Sequence, residues 1–133
     1  VTSKISEHYD SAEAPIFLDE SSPDSIIDAV ASSDLVAFGC PYLSTGISPA
    51  FFDLLDHIPS VDRKPCIFVL ACGSSGLLVR GSVRSAVKML QSIGFHPVES
   101  VVIDNTYGLS LGELLPKHEK RIEAVFKRLY RHL

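Results

Sequence analysis

Three short segments of this chain gather the residue types that grip a small polar ligand. The first is CPYLSTG (Cys40–Gly46), the second CGSSG (Cys72–Gly76) and the third DNTYG (Asp104–Gly108). Glycines let backbone N–H groups come close to a ligand, and Ser, Thr and Asn add donors and acceptors. Tyr42 and Tyr107 offer flat faces for stacking. A flat heterocycle with polar edges is the ligand such a set suits. One loop of this kind is ordinary, because loops are rich in Gly and Ser. Three of them, each following an apolar run, favour a shared ligand, since sites collect beyond the carboxyl ends of strands in α/β sheets.

Other chemistries fit less well. Arg80 lies too far beyond Cys72 for a Cys-x5-Arg phosphatase cradle, and no Gly-x-Ser-x-Gly elbow occurs. Of the three cysteines, none are in Cys-x-x-Cys spacing, so a zinc site or disulfide framework is not expected. Cys40 and Cys72 end predicted neighbouring strands and would be near enough for redox coupling, although buried cysteine usually serves as a small hydrophobe. Cys66 reads as core. The five histidines are scattered without metal-ligand spacing. Asp53 and Asp56 read as a solvated helix face. So does the basic stretch Lys117 to Arg131, which is also able to dock an acidic partner.

The elements that must position these loops are legible as patterns. DLVAFGC (Asp34–Cys40) and PCIFVLACG (Pro65–Gly73) are continuous apolar runs, which predict strands covered on both faces. APIFLDE (Ala14–Glu20) and HPVESVVIDN (His96–Asn105) predict two more. Helices alternate with them. Ser22-Pro23-Asp24 and Ser48-Pro49 give helix starts, with serine as N-cap and proline at the first helical position. Phe51, Leu54, Leu55 and Ile58 form one apolar face; Val83, Val87, Leu90 and Ile93 form another, stopped by Gly94. A C-terminal helix turns Ile122, Val125, Phe126 and Leu129 inward, and its basic last turn suits the helix dipole. Alternating strands and helices predict an α/β fold, a doubly wound parallel sheet in three α/β/α layers.

Bulk composition agrees with one domain over residues 1–133, with 46% hydrophobic residues. No apolar run approaches the roughly 18–20 residues of a membrane span, and no secretory signal is visible. The formal charge of −4 argues against nucleic acid as the main partner. Reduced thiols point to a cytoplasmic protein.

DLVAFGCPYLSTGISPAFFDLLDHI resembles the third strand, flavin loop and following helix of the flavodoxin-like superfamily, the flavodoxins and related FMN-binding quinone or flavin reductases. KPCIFVLACGSSGLLVRGSVRSAVKMLQSIGFHPV is similar to that family's fourth strand, Gly-rich loop and helix. The resemblance runs from about Ala14 to the C-terminus, and Gly39-Cys40-Pro41-Tyr42 is its most specific part. It implies that Pro41, Tyr42, Leu43, Ser44, Thr45 and Gly46 border an isoalloxazine ring, with Tyr42 as the ring-contacting aromatic. Gly73, Ser74, Ser75 and Gly76 would lie near the pyrimidine or ribityl edge. Asn105, Thr106 and Tyr107 resemble a last-strand loop that closes over the flavin.

The family's first strand and its Ser/Thr-rich phosphate loop have no counterpart. VTSKISEHYD reads instead as the tail of the first helix, with Val1 and Ile5 facing in. The expectation is an N-terminally incomplete domain. The alternatives are an N-terminal piece supplied by another chain, or a degenerate relative that no longer binds FMN. No residue is therefore assigned to the FMN phosphate.

The expected function is an FMN-dependent redox protein: an electron carrier, or a small reductase acting on a quinone or flavin. The carrier is preferred because no nicotinamide-binding motif is visible and Tyr107 is the lone weak proton-donor candidate. Partners would be a redox protein, a small quinone or flavin, or a second copy of the chain, with neither nucleic acid nor membrane. The competing class is a flavodoxin-like interaction module without flavin.

Overall fold

In the computed structural model the described residues are 16, 20–107, 114–129 and 131. The expected N-terminal helix tail, most of the Ala14–Glu20 strand and Gly108 lie outside them.

Helix α1 (Pro23–Ser32) starts as the sequence predicts: the Ser22 hydroxyl accepts from the Ser25 N–H at 3.3 Å and Pro23 opens the first turn. Its far end receives a cation from elsewhere, because Lys64 Nζ donates to the Val30 and Ala31 carbonyls. Strand β1 (Val36–Leu43) follows, then the short strand β2 (Gly46–Ile47) and helix α2 (Pro49–His57). Pro49 sets the start of α2 alone, since the Ser48 side chain makes no capping bond. Strand β3 (Lys64–Ala71) leads through a 3-10 turn (Gly76–Val79) into helix α3 (Arg80–Ile93), which begins three residues before its first predicted apolar position. Strand β4 (Phe95–Ile103) and helix α4 (Pro116–Leu129) complete the described elements.

The sheet order is β2-β1-β3-β4. β1 runs parallel to β3, with Val36 opposite Cys66 and Pro41 opposite Ala71. β3 runs parallel to β4, with Lys64 opposite Phe95 and Ala71 opposite Ile103. Only β2 is antiparallel, paired to the end of β1 through Tyr42–Ile47 and Leu43–Gly46. The sheet is thus mostly parallel, as expected, with one hairpin where the sequence predicts an open loop.

Two cores lie on its two faces. On one, α1, α2 and α3 pack Val30, Phe51, Leu55, Ala86 and Leu90 against Phe38, Cys66, Phe68 and Leu70. Four phenylalanines tie these layers together. Phe38 meets the Phe95 ring edge-on at 5.2 Å and Phe51 at 6.1 Å, while Phe51 lies 5.3 Å from Phe68. On the other face, Ile122, Val125, Phe126 and Leu129 of α4 cover Ile67, Val69, Val101 and Ile103. β3 is buried from Cys66 through Leu70, as its continuous apolar run predicts. β1 departs from the same prediction. Phe38 and Cys40 are buried, but Ala37, Gly39, Pro41 and Leu43 are exposed. The reason is coverage: α4 packs on β3 and β4, and no described element covers that face of β1.

α3 ends where its sequence says it should. Gly94 adopts φ 109°, and its N–H reaches back to the Gln91 and Leu90 carbonyls. A Cβ there would stand 1.8 Å from the Val61 carbonyl oxygen, so backbone and neighbour both require glycine. Gly81, inside α3, has open space where its Cβ would go. Gly94→Ala is expected to lower stability by at least the roughly 1–3 kcal/mol of backbone strain. Gly81→Ala is expected to raise it by about 0.4–1 kcal/mol. Urea unfolding of the two variants beside the parent chain checks both, and equal effects would refute this account of the helix stop.

Candidate functional site

Because β1, β3 and β4 are parallel, their carboxyl ends point the same way, and the three polar segments meet the sheet at that end. The first segment is more ordered than its composition suggests. Pro41, Tyr42 and Leu43 continue β1, Ser44 and Thr45 form the turn, and Gly46 returns in β2. Tyr42 lies on the same side of the strand as Phe38 and Cys40 and is half-buried against the α2-side core. Leu43, Ser44 and Thr45 are exposed.

The second and third segments are laced together. Asn105 donates its N–H to the Ser74 carbonyl at 3.0 Å, and Thr106 donates both its N–H and its hydroxyl to the Cys72 carbonyl, at 3.2 and 2.9 Å. Asn105 sits at φ 54°, a left-handed conformation that asparagine tolerates better than most residues. The Tyr107 ring lies over Gly73 so closely that a Cβ there would be 2.5 Å from two ring carbons. Any side chain at position 73 would displace that ring. Tyr107 is nonetheless 84% exposed, so its other face is open to solvent. Among the described residues, no hydrogen bond joins the Cys40–Gly46 hairpin to these two loops. The strand register still sets it beside them, because Pro41 lies opposite Ala71.

Within the Cys72–Gly76 loop the backbone donors divide. Cys72 N–H goes to Ile103, and Gly76 N–H to the Asp104 carboxylate at 3.2 Å. The N–H groups of Gly73, Ser74 and Ser75 have no partner among the described residues. Three successive unclaimed donors beside an exposed aromatic face suit a planar ligand whose edge carries carbonyl oxygens.

Asp104 is the latch beneath this loop pair. Besides the Gly76 N–H, its carboxylate accepts from Lys117 Nζ at 3.0 Å and from His118 Nε2 at 3.2 Å. Lys117 first, and His118 second, hold its carboxyl well below the usual carboxylate range, against the opposing effect of burial. His118 is 2% exposed, and its Nδ1 has no hydrogen-bond partner. Sequence reading missed this histidine, which stands in a run of charged residues typical of a solvated helix.

The thiols are spectators. All three cysteines are free and buried. Burial pushes the Cys40 thiol up to about 11 and the Cys66 thiol up to about 12. The Cys72 thiol is raised by burial and by the Asp104 carboxylate, and it donates to the Ser74 carbonyl. Protonated thiols are poor nucleophiles, and all three side chains pack in the core on the α1–α3 side of the sheet. Among the described residues no cluster of His, Cys, Asp and Glu could hold a metal, and no helix is long and apolar enough to cross a membrane.

Removing the latch should be visible in acid. A carboxyl whose folded value is depressed stabilises fully above its unfolded value, about 4, and loses that contribution as pH falls toward the folded value. Asp104→Ala is expected to lower stability at pH 7 by roughly 1.5–3 kcal/mol, the range for hydrogen bonds to a charged group. The gap between variant and parent should narrow below about pH 4. Urea unfolding at pH 7 and pH 3 reads both; an unchanged gap would mean that the ionised carboxylate is not what holds the loops.

No family model matches this sequence, and no curated protein matches it either. Solved structures do resemble it. One, a thermophilic tryptophan halogenase from Streptomycin violaceusniger, superimposes with a TM-score of 0.65 at 13% identity, over 92% of this chain and 88% of that one. An oxidoreductase from Corynebacterium diphtheriae gives 0.61 at 17% identity, over 92% and 76%. The two-electron reduced flavodoxin of Megasphaera elsdenii gives 0.58 at 16% identity, over 95% and 85%. At such identities the likeness is one of fold, and in that sense the chain has a flavodoxin-like α/β architecture.

Proposed function

We propose that this chain binds a flavin, in the form of FMN, across the carboxyl ends of β1, β3 and β4 and serves as a redox protein. The observation that carries the reading is the laced pair of loops, with three unclaimed N–H groups at Gly73, Ser74 and Ser75 beside the exposed Tyr107 ring. The two-electron reduced flavodoxin among the structural likenesses supports it.

In this reading the N–H groups of Gly73–Ser75 donate to the carbonyl oxygens of the flavin's pyrimidine edge. Tyr107 supplies a stacking face, held in place by Gly73 beneath it. Pro41, Tyr42, Leu43, Ser44, Thr45 and Gly46 border the ring from the β1 side, with Tyr42 braced by the core and the Ser44 and Thr45 hydroxyls free to donate. Asn105 and Thr106 fix the height of Tyr107 through their bonds to Ser74 and Cys72. A bound flavin supplies one- or two-electron transfer, and the loops tune its potential through stacking and hydrogen bonds. The protein's role is that of an electron carrier, with a redox protein as partner, in keeping with a sequence that shows no nicotinamide-binding motif.

The test is an FMN titration followed by absorbance and fluorescence. Binding is expected to quench the flavin. Tyr107→Ala should weaken it about two- to twelvefold, the equivalent of the roughly 0.5–1.5 kcal/mol of an aromatic pair, without loss of fold. Gly73→Ala, which displaces the Tyr107 ring, should weaken it as well. A parent chain that leaves FMN fluorescence unchanged would sink the flavin reading in favour of a flavodoxin-like interaction module.

A further inference from the structure

A second feature lies at the other edge of the sheet, on the far side of β3 from the hairpin. β4 has no strand partner on its outer side among the described residues. Between that edge and α3 runs a groove of about 540 Å³, within the size range of small-molecule sites. Its floor is apolar, built from Val83 and Val87 of α3 and Val102 of β4. Its walls are cationic. Arg80 and Arg84 stand one turn apart at the start of α3, and Arg121 reaches in from α4 on the opposite face.

These guanidinium groups have little to neutralise them. Among the described residues, Arg80 and Arg84 make no hydrogen bond or ion pair. Arg121 Nη1 donates to the Val102 carbonyl at 3.3 Å, which leaves its other donors free. The carboxylate that lines the groove, Asp104, is held by Lys117, His118 and the Gly76 N–H. Glu99, the next acid along β4, is paired with Arg128 at 3.0 Å. Three cations lining one groove raise the local concentration of anions there.

From this arrangement we infer that the groove binds a small organic oxyanion, an apolar body carrying a phosphate or carboxylate head. Arginine suits both heads, because its planar fork of donors pairs with two oxygens at once. The valine floor takes the body. An added β-strand is a poorer occupant, since Arg121 already caps the Val102 carbonyl and Pro97 lacks an N–H on the same strand. The inference does not rest on flavin binding and is tested without flavin.

The probe is phenyl phosphate, titrated into the full chain labelled with nitrogen-15, with benzoate, inorganic phosphate and phenol beside it. Saturable shifts are expected at Ser75, Gly76, the first turns of α3 and the neighbourhood of Arg121. The ranking of phenyl phosphate against benzoate identifies the preferred head, and phenol should not bind. Inorganic phosphate should bind more weakly than phenyl phosphate, because it leaves the valines uncovered. Arg84→Gln is expected to weaken phenyl phosphate about tenfold, in line with loss of a charged hydrogen bond. Lys127→Gln, which removes one positive charge outside the groove from a residue with no acidic partner among the described residues, should leave the affinity unchanged. Equal losses in the two variants, shifts that never saturate, or shifts clustered elsewhere would overturn the assignment.

Discussion

β3 is buried on both faces, and both cores are built against it. Cys66 to Leu70 meet almost no water, so each side chain of that strand must be matched by a helix above or below. Alternation sends Cys66, Phe68 and Leu70 to the layer of α1, α2 and α3, and Ile67 and Val69 to α4. Burying a large apolar side chain is worth roughly 1.5–3 kcal/mol, and a shift of one residue in register would turn Phe68 and Leu70 toward α4 and misfit both cores together. A strand fixed this firmly also fixes the loop at its end. Cys72 and Gly73 leave β3 at a set height, and the Cys72 carbonyl then accepts two bonds from Thr106.

That chain of dependence explains why the candidate site is ordered although it is made of loop. The parallel sheet delivers the end of β4 beside the end of β3, and Asp104 closes the junction by holding one group from each neighbouring piece. Gly76 belongs to the loop after β3, while Lys117 and His118 belong to α4 on the other face. One carboxylate thus joins both layers to the site. Hydrogen bonds to a charged acceptor are stronger than neutral ones, and a buried imidazole gives the junction a rigid side. The backbone donors left over at Gly73–Ser75 are free because the others have been used in this lacing.

What the sequence reveals and what it hides divide along locality. The inward faces of α2, α3 and α4 follow from spacing within one helix, so Phe51, Leu55, Leu90, Ile122 and Phe126 are legible. Gly94 is legible for the same reason, since a helix stop is written in a few adjacent residues. The carboxyl-end placement of the three polar segments also follows, from the alternation of strand and helix. Features that need a distant partner do not. The exposed face of β1 looks like its buried face in sequence, because Ala37, Gly39 and Pro41 are as apolar as a covered strand requires. The Pro41–Gly46 hairpin reads as a loop because its antiparallel partner, β2, is two residues long. His118 is buried beside Asp104, a partner that comes from another strand end fourteen residues away.

The arginine groove shows the same limit from the other side. Arg80 and Arg84 stand at the four-residue spacing that marks one helix face, and that much is visible in LLVRGSVR. Taken alone, such a pair is a solvated surface. Arg121 changes its meaning, and Arg121 arrives from a helix on the opposite face of the sheet, around an edge that no described strand covers. A free sheet edge is ordinarily a liability, managed with charge. Here the charges share one sign, and among the described residues the acid that lines the groove, Asp104, and the next acid along its strand, Glu99, are taken by Lys117, His118 and Arg128. Protection of an edge does not require the acids to be withdrawn from the arginines. Withdrawal of the acids is what an anion site requires, and it comes from the same Asp104 bonds that lace the loops at the end of the sheet.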